Sequence, residues 1–440
     1  MKKILLIAAL CALLLLSACA STASEPAAPS VAPAEPEATP DPVVRIVLAD
    51  GTATASGGGA RVDGSVVTIA SGGEYALSGT LDEGQIVIDT GDEAMNVYLT
   101  LDGVTLSNKT GPALWAKQAK NVHLILAAET KSLFVSGTEA DLAAFDGTQT
   151  GAAVYAEDDL IIEGEGELEV RGYINNGIAG KDDLKLKSGS VQILAAGNGF
   201  RASESVEIKG GELSVVAGND GVKASSAKKE GKGYVAISGG TVMVEAQGDG
   251  ISAETVLTMT GGSVTVDAQG DGLGQSSNAL KAKTGVEISD GRLTLSAIED
   301  AISCDGSVLL SGGMVTISTK GDGVQAGEKG SGAGDITISG GRLGINAMRR
   351  GLNARGNLVI DGGTVLAYIG SEKQDAPAGS AASILAAFPG AAGERLQLNG
   401  EELVPESERA FSLVLYSGTL EHGASYKLSN GIKSVDVTAN

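Results

Sequence analysis

The chain reads as an all-β protein, a right-handed parallel β-helix with coils of about 22 residues and alternate coils lengthened to 28 or 29. A short phrase recurs from Gly189 to Gly363: an apolar pair, a glycine turn, a second apolar pair, then an Asp-Gly-type corner. It stands as Val206-Glu-Ile208-Lys-Gly-Gly211-Glu-Leu213-Ser-Val215 and again as Val235-Ala-Ile237-Ser-Gly-Gly240-Thr-Val242-Met-Val244. The turn glycines at 189, 211, 240, 262, 291, 313, 341 and 363 are separated by 22, 29, 22, 29, 22, 28 and 22 residues. Self-similarity at a nearly fixed period marks a solenoid. Composition agrees: 64 glycines suit many tight corners, and 3% aromatic residues is low for a globular enzyme core.

Inside each period the apolar residues alternate with polar ones and Val, Ile and Thr dominate, which predicts strands. A unit this short cannot bury its apolar face alone. Stacking at about 4.8 Å buries it against the equivalent residues above and below. Three short strands per coil then enclose an apolar bore, with Gly and Asp-Gly at the corners.

In chain order, residues 1–18 form a lipoprotein signal peptide: Lys2-Lys3, an apolar run from Ile4 to Leu16, then Leu16-Ser17-Ala18-Cys19. That last phrase resembles a bacterial lipobox, which implies cleavage before Cys19 and acylation of its thiol. No other run is long enough to cross a bilayer. The expected location is the extracytoplasmic face of a bacterial membrane, with the lipid anchor as the sole membrane contact. Residues 19–42 are a Pro/Ala/Glu-rich tether, expected to be disordered. Residues 43–440 are the β-helix: irregular N-terminal coils over 43–150, regular coils over 151–370, a loop over 371–395, and a C-terminal cap over 396–440.

Strands are expected at Val66–Ile69, Tyr75–Leu77, Gln85–Ile88, Val97–Leu101, Val122–Leu126, Phe411–Leu415 and Ser425–Leu428, with corners at Asp102-Gly103, Asn108 and Asp146-Gly147. Tyr98, Trp115, Tyr155 and Tyr173 fall on early coils. They can form a platform for sugar rings, or pack in or cap the bore, and the latter is the expectation. Of the three cysteines, Cys11 lies in the leader, Cys19 in the lipobox, and Cys304 replaces a recurrent corner alanine as a small buried residue.

A second column runs in phase with the glycines: Asn176, Asn198, Asp220, Asp249, Asp271, Asp300, Asp322 and Arg350. Stacked on one edge, its carboxylates repel by roughly 1 kcal/mol per neighbouring pair in water. A cation would relieve that, and calcium accepts irregular cages of carboxylate and carbonyl oxygens. Asp-Gly and Asn-Gly also suit tight turns whatever binds there. Arg349 and Arg350 end the run, placed to neutralise Asp322 or to contact an acidic sugar. A second acidic set follows a few residues on: Asp158, Asp159, Asp182, Asp183, Glu204, Glu254 and Asp305. In the longer coils this corner expands into loops at 225–233, 276–284 and 328–334. These form cross-grooves for a polymer or are surface insertions.

Several ordered phrases together are specific: Gly73-Glu-Tyr-Ala-Leu-Ser-Gly-Thr80, Leu101-Asp-Gly-Val-Thr105, Asp158-Asp-Leu-Ile-Ile162, Asn175-Asn-Gly-Ile178, Lys181-Asp-Asp-Leu-Lys185, and Gly231-Lys-Gly-Tyr234 before Ser238-Gly-Gly240. Over most of residues 43–435 the chain resembles a bacterial family of extracellular carbohydrate-binding domain-containing proteins. The resemblance implies a right-handed parallel β-helix, bound calcium, and binding of plant-type polysaccharides of the pectin or cellulose kind without hydrolysis. Calcium ligands on this basis are Asp158, Asp159, Asp182, Asp183, Asp220, Asp249, Asp271, Asp300 and Asp322. Ligand contacts are Asn176, Asn198, Glu204, Glu254, Asp305, Arg349 and Arg350. The phrases Asn198-Gly-Phe200, Arg350-Gly-Leu352 and Ala202-Ser-Glu204 depart from the family pattern.

A formal charge of −22, or −24 once Lys2 and Lys3 are removed, disfavours nucleic acid and anionic lipid as partners. No nucleophile elbow, phosphate loop or zinc spacing occurs, and His123 and His422 are isolated. The expected function is non-catalytic binding of an acidic, pectin-like polysaccharide by a monomer. The rival readings are a lyase or hydrolase on the same fold, with Arg201, Lys223, Arg349 or Arg350 near the corner column as candidate groups, and an adhesin without a sugar ligand.

Overall fold

Period-two alternation becomes three strands per coil. In one regular coil these are Phe200–Ala202, Ser205–Ile208 and Glu212–Ala217. A computed structural model of the protein describes residues 43–440 apart from 145, 146, 148–150, 227, 271–275, 329–332 and 372. The leader, Cys19, the tether, Asp146 and Asp271 therefore lie outside the described residues. Neighbouring coils pair in parallel and in register, Phe200 with Val222, Val206 with Val235 and Leu213 with Val242, and the whole is a β-solenoid of about 11 turns. One face, here the short-strand face, is a 13-stranded sheet, and the other two faces share a 24-stranded one.

Register stacks like on like in the bore. Phe200, Val222, Ile251, Leu280, Ile302, Val324 and Leu352 form one buried column. Beside it run Ala202, Ala224, Ala253, Ala282, Cys304 and Ala326, so Cys304 is the small buried residue expected of an alanine position. Each fully buried Val, Leu or Ile contributes about 1.5–3 kcal/mol. All eight turn glycines have positive φ, from 74° at Gly211 to 98° at Gly291. An L side chain is strained in that region. At Gly240 an added Cβ would also lie 2.7 Å from the carbonyl oxygen of Gly211, so the glycine column is required twice over.

Both ends are closed by antiparallel pairing, which covers the sheet edges. At the start, Val44–Ala49 pairs with Thr52–Ala55 and Ala60–Asp63 with Val66–Ile69. At the finish, Thr364–Ile369 pairs with Phe411–Ser417, beside a small antiparallel sheet with its own core around Tyr368, Phe388 and Phe411.

The expected strands are all present, but three expectations need correction. Residues 371–395 are not all loop: Ser383–Gly390 is a strand paired with Phe411–Ser417, its Ile384 and Phe388 buried and its apolar signal diluted by flanking Ala, Gly and Pro. Asp102-Gly103 does not end a strand. It is a bulged bend inside Asn96–Asn108, with Gly103 at φ 65°. The expected middle loop, 276–284, contains the short strand Leu280–Ala282 and so is not an insertion after it. Among the described residues no helix is long and apolar enough to cross a membrane.

Candidate functional site

The corner column is a hydrogen-bond ladder. Each side-chain oxygen accepts the backbone N–H of the corner residue one coil on. Asn176 Oδ1 takes the Asn198 amide at 3.0 Å, Asp220 Oδ1 that of Asp249 at 2.9 Å, and Asp249 Oδ1 that of Asn278 at 2.9 Å. Asn278 Oδ1 takes that of Asp300 at 3.2 Å, Asp300 Oδ1 that of Asp322 at 2.7 Å, and Asp322 Oδ1 that of Arg350 at 2.9 Å. Gln374 Oε1 then receives the amides of Gly351 and Leu352. Asn278, and not Asp271, holds the ladder position in its coil. That coil carries two corner-like phrases, Asp271-Gly-Leu273 and Asn278-Ala-Leu280, and only the second leads into the short strand. The ladder needs an acceptor at each rung and not a charge, which is why Asn and Asp alternate freely.

The second carboxylate oxygens are mostly met from within the chain. Asp220 Oδ2 lies 2.5 Å from Lys223 Nζ, Asp249 Oδ2 3.1 Å from Lys281 Nζ, and Asp322 Oδ2 2.6 Å from Asn353 Nδ2. Arg349 Nε stands 3.7 Å from Asp322 Oδ1, while Arg350 Nη1 donates to Asn353 Oδ1 at 2.7 Å. Asp300 has no such ion pair among the described residues, and burial pushes its carboxyl up to about 6.

Much of the second acidic set is also neutralised internally. Lys185 lies 3.3 Å from both Asp159 and Asp183, and Lys181 pairs with Glu157. From the loop at 225–233, Lys232 reaches both oxygens of Asp183 at 2.7 Å and Glu204 at 3.3 Å, and Lys229 also meets Glu204. Burial raises the Asp183 carboxyl, but Lys232 and the Ser205 hydroxyl outweigh it, so Asp183 sits below the usual carboxylate range. Asp182 is raised instead, by burial and by Glu204. Glu254 pairs with Lys283 at 2.5 Å, and Asp158 accepts the Ala119 amide at 3.0 Å. Asp305 lines a cavity of about 450 Å³ with Asp300 and Asp322.

Among the described residues no group of three or more Asp, Glu, His or Cys is placed to hold a metal ion. An ammonium already stands between Asp183 and Glu204. The residues present therefore do not fit a calcium ion at that corner.

Between the two acidic columns lies the outward side of the short-strand face. Register places Trp115, Tyr155, Ala179, Arg201, Lys223, Ser252, Lys281, Ser303, Gln325 and Asn353 in one line. It is roughly 43 Å long at the strand spacing. Trp115 and Tyr155 face out, between inward Leu114 and Ala116 and inward Val154 and Ala156. Tyr98 also faces out, stacked on His123 at 4.5 Å, and only Tyr173 is buried. Packing in the bore was the wrong expectation for the first three, because each sits at an outward position of its strand and the neighbours on either side fill the bore. His123 bonds Glu163 at 2.7 Å and His422 bonds the Ser380 carbonyl at 3.1 Å.

At the aromatic end of the line is a groove of about 460 Å³ lined by Pro112, Trp115, Gly151, Ala152, Tyr155, Asn175, Asn176, Ala179 and Arg201. Sequence reasoning treated Trp115 and Tyr155 as packing and Arg201 only as a candidate base. The two-residue alternation within Leu114–Gln118 and Ala152–Ala156 was the signal that could have turned the rings outward.

Comparison with known proteins follows the same lines. A family model described as carbohydrate-binding domain-containing protein matches residues 63–323 and 273–404. A carbohydrate-binding domain-containing protein of Acetivibrio thermocellus is 34% identical over 140 residues, 31% of this chain and 48% of that protein, so the match spans about half of that relative's length. A solved structure of the polysaccharide lyase-like protein from C. thermocellum, a gadolinium derivative, matches at a TM-score of 0.51 and 30% identity, covering 57% of this chain and 99% of that one.

Proposed function

The chain belongs to the carbohydrate-binding domain-containing family, and on that premise we propose that it holds an acidic, pectin-like polysaccharide along its short-strand face without cutting it. The observation that carries this reading is the single outward line from Trp115 to Asn353. Its side chains repeat at the strand spacing and pass from stacking groups at one end, through Arg201, Lys223 and Lys281 with hydroxyls between, to amide groups at the other. A straight polymer can meet such a line repeatedly, and many weak contacts then add.

The way the cations are held supports binding without cleavage. Lys223 and Lys281 are each engaged by a ladder carboxylate, so neither is presented as a free base. Arg201 is a guanidinium, which does not give up its proton in proteins. The lysines that meet Asp183, Asp220 and Asp249 supply the counter-charge for which calcium was the expectation, and the proposed binding does not depend on calcium.

Incubation with polygalacturonate and with cellulose tests the reading. Retardation of the protein by polygalacturonate, with no unsaturated or reducing ends released, is expected. Release of such ends would favour the second reading, a lyase or hydrolase, which the lyase-like description of the solved relative keeps in view. No retardation by any polysaccharide would favour an adhesin. The anchor proposal is separate: Cys19→Ser should move the protein from the membrane fraction to the soluble one, and retention in the membrane would refute lipidation.

A further inference from the structure

The groove at the aromatic end is the one place on the line where stacking surface and unneutralised positive charge coincide. Trp115 and Tyr155 are register partners on adjacent parallel strands, so their rings stand about one strand spacing apart. The next position is Ala179, which is buried, and its single methyl leaves a notch between Tyr155 and Arg201. The walls are held in place: Asn176 Nδ2 bonds the Gly151 carbonyl at 2.8 Å, and Gln85 and Asn108 both donate to the Pro112 carbonyl, at 2.8 and 3.1 Å. A preformed groove of this kind loses little freedom on binding.

Arg201 differs from the cations that follow it on the line. Lys223 is paired to Asp220 and Lys281 to Asp249. In the Arg201 coil the ladder residue is Asn198, which offers no charge. Arg201 makes no ion pair among the described residues, and its Nη2 donates only to the Ser225 hydroxyl, at 3.2 Å. On a chain with net charge −22 an unmatched guanidinium at a groove is unusual, and a planar two-pronged donor is the group that recognises a carboxylate.

Resting on the polysaccharide-binding reading, we infer that Trp115, Tyr155 and Arg201 form a subsite for one carboxylated sugar unit. The sugar's apolar ring face lies on Trp115 and Tyr155, and its carboxylate crosses the Ala179 notch to Arg201. Aromatic faces take the axial C–H side of a pyranose, and the guanidinium then selects uronic over neutral sugars. The subsite defines an aromatic end from which the rest of the chain extends along the line toward Asn353.

Trp115 is the chain's sole tryptophan, so intrinsic fluorescence reports on this groove directly. The wild-type protein, Arg201→Ala, Arg201→Lys and Trp115→Ala are titrated with a defined oligogalacturonide and with a neutral cello-oligosaccharide of equal length, by fluorescence and calorimetry. Expected results are a change in Trp115 emission on adding the oligogalacturonide and a loss of affinity of about tenfold in Arg201→Ala for that ligand only. Arg201→Lys should recover part of the loss, and Trp115→Ala should weaken binding of both ligands. Heat of binding with unchanged Trp115 emission and unaltered affinity in Arg201→Ala overturns the subsite while leaving the polysaccharide reading intact. Absence of any binding to the wild type overturns both. Equal losses for charged and neutral ligands in Arg201→Ala also overturn the carboxylate assignment.

Discussion

Replacing Lys232 with alanine is the sharpest probe of how the acidic corner is stabilised. Its ammonium lies 2.7 Å from each oxygen of Asp183, a residue only 7% exposed, and 3.3 Å from Glu204. At that separation the direct attraction is about 6 kcal/mol at an effective dielectric of about 20. Two partners survive the substitution, Lys185 at 3.3 Å and the Ser205 hydroxyl at 2.6 Å, and an ordered lysine gives back side-chain entropy when removed. The net loss should be about 2–3 kcal/mol, toward the low end for breaking a buried pair. For a chain of this length that corresponds to a fall in Tm of about 2–5 °C.

The loss should depend on pH. The Asp183 carboxyl is depressed in the folded protein. Its contribution is therefore present above the unfolded carboxylate value, about 3.9, and disappears as pH falls through the folded value. Wild type and Lys232→Ala should differ at pH 7 and converge in acid. Removing the ammonium also leaves Asp183 and Glu204 facing an open gap. Calcium should then stabilise Lys232→Ala and leave wild type unmoved. Thermal melts of both proteins with calcium and with chelator decide the matter. A wild-type Tm that falls in chelator, or a Lys232→Ala variant as stable as wild type at pH 7, would refute internal neutralisation.

Two further outcomes are expected. Asp300→Asn keeps the acceptor for the Asp322 amide and removes a buried charge whose carboxyl is pushed up to about 6. A raised carboxyl destabilises the ionised folded state, so the variant should melt higher than wild type at pH 8. The gain should shrink as pH falls from about 6 to about 4, and a constant difference across that range would contradict it. Asp249→Ala removes the acceptor of the Asn278 backbone amide, the Asn278 side chain and Ser276, and should cost about 1–3 kcal/mol in denaturant titration. Asp249→Asn should cost clearly less, and equal costs would mean that charge and not the ladder bond matters there.

The solenoid and its glycine column were legible because both depend on local rules repeated many times. Alternation sets which side chains enter the bore, and a left-handed turn demands glycine. What was not legible needed the third dimension. Asp271-Gly-Leu273 and Asn278-Ala-Leu280 satisfy the same local rule, and only register with Asp249 and Asp300 chooses between them. The carboxylates were visible as a charged column, but several of their partners are distant in sequence. Lys232 meets Asp183 across 49 residues, and Lys281 meets the previous coil's Asp249. Counting acids alone therefore suggested a metal where lysines already stand. Trp115 and Tyr155 were misplaced for another reason: large aromatic residues in a chain poor in them were assigned to the interior on average behaviour, against the alternation of their own strands.

The corner ladder has a consequence for the length of the molecule. Since each rung serves the amide of its successor and Asn or Asp suffices at any rung, one complete winding can be removed or duplicated and the two new neighbours still find each other. Excision of residues 199–220, from one rung's successor to the next rung, would join Asn198 to Gly221 and set the Asn198 side chain beneath the Asp249 amide that Asp220 serves now, so the ladder bond is kept while the ion pairs of Asp220 and Glu204 are lost. The reach of the outer face is in this sense an adjustable dimension, set by how many windings the gene carries and not by any one residue.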